Sequence, residues 1–296
     1  MSIQGLKFIG DRINPGFRST KVLIDGEDLD GLQALAVRQV EAGAYALDVN
    51  VGERAFSDSD YLTAIVRALQ AAVDVPLCFD VPDLAVQEVC LAAYDPAEAG
   101  GQKPLINSIA ETRWEMVELL KIQPCKVILM ASESVGGDGR GVPNRTSVEL
   151  HATTARMVEK LLGAGLSLSL DDIIVDVSIC ALASDSEGLT QMTFGGIRMI
   201  HDDPDLKGVD ITGGLSNLTQ LLPPKTLDDG SSLKLTLENA FLTLAMAAGF
   251  NTALATPWKQ YELLPEGHPV LRALEEIIEL GGVEAVRRLR ALYRDA

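Results

Sequence analysis

Residues 209–218 read Val-Asp-Ile-Thr-Gly-Gly-Leu-Ser-Asn-Leu, an apolar run that closes on two glycines and then offers a hydroxyl, Ser216, and a neutral amide, Asn217. A glycine has no Cβ, so Gly214 predicts a place where backbone comes close to a ligand. The amide of Asn217 can donate and accept hydrogen bonds without carrying charge. That suits chemistry at a weakly basic ring nitrogen. Taken alone such a segment is more often a plain tight turn; its weight comes from where the other polar residues fall.

Five other apolar runs end in the same manner: Ile9-Gly10-Asp11-Arg12, Leu47-Asp48-Val49-Asn50, Leu77-Cys78-Phe79-Asp80, Leu105-Ile106-Asn107-Ser108 and Ile173-Ile174-Val175-Asp176. Burying a carboxylate or amide costs several kcal/mol unless it is paired, so packing does not explain this many of them. Asp11, Arg12 and Asp48 fit an internal ion-pair network as well as they fit a site. Asp80, Asn107 and Asp176 are harder to account for structurally. Two carboxylates with an amide match a flat heterocycle whose edge is rich in N–H donors, in the manner of a guanidine.

The elements that must hold these residues follow from periodicity and punctuation. Strand-like runs lie at 6–13, 45–51, 77–81, 104–109, 126–131, 172–177, 209–212 and 252–255, and helix-patterned segments at 29–42, 60–72, 84–92, 112–121, 147–162, 189–201, 233–248 and 270–293. Gly43, Gly165 and Gly249 stand where a left-handed helix cap is wanted, and Asp60, Asp83 and Ser147 suit helix starts. Strict alternation implies a parallel sheet with helical crossovers. Eight such units in 296 residues predict one closed (β/α)8 barrel over 1–296, with a C-terminal helix at about 268–294 packed on it. Two polar inserts, 133–145 and 221–232, then fall on the C-terminal rim, where barrel active sites sit.

Composition removes several other functions. A net charge of −17 argues against nucleic acid, which calls for a basic face. No apolar run is long enough to span a bilayer and the N-terminus lacks a signal-peptide pattern, which predicts a cytoplasmic protein. Cys78, Cys90, Cys125 and Cys180 are scattered through apolar stretches and read as buried thiols; His151, His201 and His268 show no ligand spacing, so no metal is expected. Gly136–Gly141 is glycine-rich but fits neither nucleotide-binding spacing and reads as a flexible loop. No Gly-x-Ser-x-Gly elbow is present.

The strand ends resemble those of the pterin-binding methyltransferases, the methyltetrahydrofolate:corrinoid-protein enzymes and the folate domain of cobalamin-dependent methionine synthase. The matching segments are 9–15, 46–52, 76–80, 105–108, 174–176 and 213–217, in family order. The resemblance implies a barrel that binds tetrahydrofolate or its 5-methyl form at its rim. It would move a methyl group between folate N5 and a corrinoid cobalt, here in the direction of tetrahydrofolate, as in demethylation pathways. By motif, Asp80, Asn107 and Asp176 hold the pterin edge, Asn217 serves N5, and Gly214 and Ser216 shape that wall. Asp48 and Asn50 stand beside them, holding water or the other carboxylates.

Two departures bear on this resemblance. Asp11 replaces the family's usual glutamate, and after Asn217 the chain runs Gln220-Leu-Leu-Pro-Pro-Lys225 where relatives are polar and basic. The resemblance places Gln220 where some members carry a site-lining glutamine. An Asp-x-His-x-x-Gly corrinoid motif is absent, so the corrinoid is expected on a separate partner protein; a homodimer is expected by resemblance alone. Dihydropteroate synthase, the alternative, would show a Ser-Arg-Lys motif after the seventh strand and a late Arg-Val-His; neither is present. A non-catalytic pterin-binding protein is the remaining alternative, against which Asn217 counts.

Overall fold

The computed structural model describes residues 3–295. In chain order its strands are β1 (Lys7–Ile13), β2 (Ala44–Val49), β3 (Leu77–Asp80), β4 (Leu105–Ile109), β5 (Lys126–Met130), β6 (Glu133–Val135), β7 (Gly141–Pro143), β8 (Ile173–Asp176), β9 (Asp210–Thr212) and β10 (Thr252–Ala255). The α-helices are α1 (Arg18–Asp25), α2 (Leu29–Glu41), α3 (Ser59–Ala72), α4 (Leu84–Ala93), α5 (Ser147–Leu162), α6 (Leu189–Asp202), α7 (Leu233–Ala247), α8 (Pro269–Leu280) and α9 (Gly282–Asp295).

Eight strands run parallel in the order β10-β1-β2-β3-β4-β5-β8-β9. The outer two meet where Leu254 N–H donates to the Gly213 carbonyl at 3.1 Å and Asn251 N–H to that of Ile211 at 3.3 Å. The molecule is therefore the expected (β/α)8 barrel. The surrounding helices bury an inward stripe, as Leu62, Ile65, Val66 and Leu69 of α3 do, and a strand between that layer and the barrel interior must be apolar on both faces.

Inside the barrel Ile9, Ala46, Cys78, Leu105, Ile128 and Ile174 form a closed apolar layer, one residue from each of six strands. Side chains alternate faces along a strand, so the residue two positions on also points inward. Those residues are Asp11, Asp48, Asp80, Asn107, Met130 and Asp176. The barrel is a plugged cylinder whose next layer, toward the C-terminal mouth, is polar at five of six positions. Period-two alternation alone gathers residues that lie 165 positions apart, from 11 to 176.

Several elements differ from expectation. The helix expected at 112–121 is an irregular 3₁₀ segment, Glu111–Lys121, broken at Arg113 (φ −132°, ψ 48°). The final helix is two, α8 and α9, because Gly281 and Gly282 take φ of +61° and +51°, which no helix continues through. Insert 133–145 holds the antiparallel pair β6–β7, so the glycine-rich stretch is its hairpin turn rather than a flexible loop; Gly139 supplies φ +80° there. α1 is an additional helix, with only Thr20 and Ile24 buried in it. Asp58 rather than Asp60 caps α3, and Thr146 rather than Ser147 caps α5, through a reciprocal bond with Glu149. Asp83 caps α4 as expected, and Gly43, Gly165 and Gly249 are all left-handed. Among the described residues no helix is long and apolar enough to cross a membrane, and no cluster of three or more His, Cys, Asp or Glu could hold a metal ion.

Candidate active site at the barrel mouth

Asp80 ends β3 in register beside Asn107 of β4, and Asp176 ends β8 opposite Thr212 of β9. Each is partly satisfied by the chain itself. Asn50 Nδ2 donates to Asp80 Oδ2 at 3.0 Å, and Asn50 is itself fixed by the Gly52 N–H on its Oδ1 at 2.8 Å. Asn107 Nδ2 donates to Asp48 Oδ1 at 3.2 Å. The Ser178 N–H donates to Asp176 Oδ1 at 2.6 Å. Among the described residues this leaves Asp80 Oδ1, Asn107 Oδ1 and Asp176 Oδ2 with no protein donor.

The site's carboxylates are not neutralised by ion pairs, although the charges of Lys259 and Arg12 act on Asp11. Among the described residues, no ion pair involves Asp11, Asp48, Asp80 or Asp176, although 14 are formed elsewhere in the molecule. Burial pushes Asp176 up to about 6, with the Ser178 N–H pulling the other way. Asp80 is raised by burial against the Asn50 bond, and Asp48 well above the carboxylate range by burial and the charge of Asp80. Burial likewise raises Asp11. Acids kept at such a cost, with oxygens left open, want hydrogen-bond donors from outside the chain.

Asp11 is a brace. Its Oδ2 accepts from Ser216 Oγ at 2.7 Å and its Oδ1 from Thr256 Oγ1 at 2.9 Å, joining the ends of β1, β9 and β10. The Asp11–Arg12–Asp48 ion-pair network is not formed. The Arg12 guanidinium instead lies 3.7 Å from the centre of the Phe17 ring, where cation–π attraction replaces a carboxylate. Thr256 was not expected here, although its place just past β10 was the available signal. Arg113, which reaches Ser108 Oγ at 3.4 Å from the irregular segment after β4, carried no signal at all.

After β9 the chain turns through Leu215–Asn217, closed by Asn217 N–H to the Gly214 carbonyl at 3.0 Å. The glycines serve space rather than conformation. A Cβ on Gly214 would stand 2.7 Å from Asn217 Nδ2, and one on Gly213 would stand 2.7 Å from Ile179 Cγ1. Asn217 is exposed, and its side chain makes one bond, accepting at Oδ1 from Gln220 Nε2 at 2.7 Å. It does not cap its own turn. The structure thus joins Ser216 to Asp11 and Asn217 to Gln220, and joins Asp80 and Asn107 to Asn50 and Asp48.

Residues 14–254 match the family described as pterin binding enzyme. A methylcorrinoid:tetrahydrofolate methyltransferase of Eubacterium limosum is 27% identical over 251 residues, covering 84% of each chain. Among solved structures, the dihydropteroate synthase of Burkholderia cenocepacia has a TM-score of 0.57 at 17% identity, over 100% of this chain and 95% of that one. The Yersinia pestis enzyme has a TM-score of 0.55 at 18% identity, over 93% and 92%. Likeness at such identity carries the fold alone.

Proposed function

The chain belongs to the pterin-binding enzyme family, and we propose that it moves a methyl group from a corrinoid carried by a separate protein to N5 of tetrahydrofolate. The observation that carries this reading is the trio of open oxygens on Asp80, Asn107 and Asp176. A pterin presents an amino group and a ring N–H along one edge, and these are the donors that such acceptors lack. The direction of transfer follows that of the methylcorrinoid:tetrahydrofolate methyltransferase of Eubacterium limosum.

In this reading Asp80, Asn107 and Asp176 grip the pterin edge and fix the ring plane. Asp48 and Asn50 hold two of those side chains in place, and Ser216 with Gly214 forms the wall on the β9 side. The partner's corrinoid supplies an electrophilic methyl group. Asn217 faces N5, which would take the methyl with its lone pair, leave the methyl's old bonding pair on the carrier and give its proton to solvent, so its hydrogen-bonding character changes. An amide serves a donor or an acceptor there without the desolvation cost of a carboxylate.

Dihydropteroate synthesis is the less favoured reading, because the turn after β9 runs Leu215-Ser216-Asn217-Leu218-Thr219 with no lysine or arginine. The deciding experiment is spectrophotometric. Protein supplied with tetrahydrofolate and a methylated corrinoid protein should bleach the methylcorrinoid and yield 5-methyltetrahydrofolate, and should do neither with one substrate alone. Formation of dihydropteroate from a pterin pyrophosphate and 4-aminobenzoate, without methyl transfer, would refute it.

A further inference from the structure

A groove of about 860 Å³ lies between α9 and the segment that follows Gln220. Its floor is apolar, Leu221, Leu222 and Pro223, and its other side carries Arg287, Arg290 and Tyr293. The walls come from both loops that hold the proposed pterin site. Ala183 follows Asp176 after β8, Leu221 follows Asn217 after β9, and the Leu182 N–H joins the two loops at the Leu218 carbonyl, 3.1 Å away. The groove is preformed: Tyr293 Oη donates to the Pro223 carbonyl at 3.2 Å, and Lys225 Nζ to the Tyr293 carbonyl at 2.6 Å.

Two features of this groove are unexplained by packing. Leu221 is 77% exposed and holds φ +62°, a left-handed backbone that strains any residue with a Cβ. Arginines also gather there on a chain whose net charge is −17, and among the described residues Arg290 meets no carboxylate while Arg287 meets only Glu284. An apolar floor with an arginine rim calls for a flat ring that bears carboxylates.

We infer that this groove is the subsite for the aminobenzoyl-glutamate tail of the folate, with its ring on Leu221–Pro223 and its carboxylates on Arg287 and Arg290. This rests on the pterin reading of the barrel mouth. The loops that follow Asp176 and Asn217 are joined at Leu182 and Leu218 and both line the groove, so a tail running over them would reach it, and each added glutamate would bring a further anion to the arginine rim.

Calorimetry with three ligands tests it: 6-methyltetrahydropterin, which has no tail, tetrahydrofolate, and its triglutamate. The wild-type chain should bind the triglutamate about tenfold more tightly than the tail-free pterin, as two exposed ion pairs allow. That preference should shrink at about 0.5 M salt. The Arg287→Ala/Arg290→Ala variant should bind the tail-free pterin like wild type and lose most of the preference. A variant that keeps the full preference overturns the inference, and so does one whose change is from dimer to monomer by light scattering, which would make the groove an interface between copies. Failure of the wild type to bind any of the three ligands overturns the pterin reading itself.

Discussion

Asn107 gives its amide hydrogen to Asp48 Oδ1 across 3.2 Å, and that bond determines which of its atoms faces the barrel mouth. With Nδ2 committed to Asp48, Oδ1 is the atom left to accept. Asp48 is thus a positioning residue whose value lies in the orientation of its neighbour, and it keeps this place although burial and Asp80 both disfavour its charge.

The first prediction separates these effects. Asp48→Asn removes the buried charge and keeps an acceptor, so tetrahydrofolate affinity should stay within a few-fold of wild type. Asp48→Ala leaves the Asn107 donor unpaired, at about 1–3 kcal/mol, and should weaken binding roughly tenfold. Calorimetry on both variants checks this. Equal affinities would mean that Asp48 does not orient Asn107.

Asp176 gives a prediction in pH. Its pKa is raised to about 6, so it takes up a proton as pH falls below that value and one acceptor oxygen becomes a donor. Pterin affinity should therefore rise with pH through about 6 and level off above it. For the free chain the sign is opposite. Between about 4 and 6 the folded state binds more protons at this site than the unfolded chain, so this group's contribution to stability falls as pH rises through that window. Asp176→Asn should abolish the pH step in binding, lower affinity tenfold or more, and raise stability at pH 7.5 by roughly 1–3 kcal/mol. Chemical denaturation of the ligand-free variant measures the last; a less stable variant would contradict the desolvation argument.

Asp11 should behave as a brace rather than a ligand. Asp11→Ala leaves Ser216 Oγ and Thr256 Oγ1 without their acceptor. Each lost partner costs about 1–3 kcal/mol, set against the relief of a buried acid, so the thermal midpoint should fall by several degrees. The β9 turn should loosen with it, reducing kcat more than folate affinity. Asp11→Glu, the residue usual in the resembling family, should restore most of both. If alanine changes affinity alone, Asp11 contacts the ligand.

How much of this was legible follows from range. Alternation along a strand is local, so the inward set from Asp11 to Asp176 could be read from sequence, and with it the barrel and the polar layer at its mouth. The pairing of Asn107 with Asp48 spans 59 residues and depends on rotamers set by packing. No local pattern encodes it. The paired glycines were readable as a place without side chains, but the space they leave is used by Asn217 and Ile179 of the chain itself. The break at Gly281–Gly282 sat inside an apolar helical pattern that ran unbroken across it, so periodicity hid the two glycines.

The last prediction concerns Asn217 and Gln220 as a pair. With Gln220 Nε2 donating to Asn217 Oδ1, Nδ2 of Asn217 is the atom free to donate, as an unprotonated N5 requires. Turning both amides over preserves the bond between them and presents Oδ1 instead, as an N5–H requires. One side chain can thus serve both protonation states at the cost of two amide rotations. Asn217→Ala should lower kcat by roughly 10²–10³, the usual cost of removing one preorganised donor. Its thermal midpoint should hardly move, since the exposed side chain bonds to no backbone atom. Gln220→Ala should cost less, about tenfold, because Asn217 remains but its orientation is no longer held. Asn217→Asp keeps the size and the acceptor but cannot offer the amide donor, and its carboxylate would be repelled by Gln220 Oε1 in the turned arrangement. It should therefore resemble alanine in kcat. Single-turnover methyl transfer and melting curves on the same preparations distinguish this from a purely structural role, in which Asn217→Ala would melt early yet turn over normally per folded molecule.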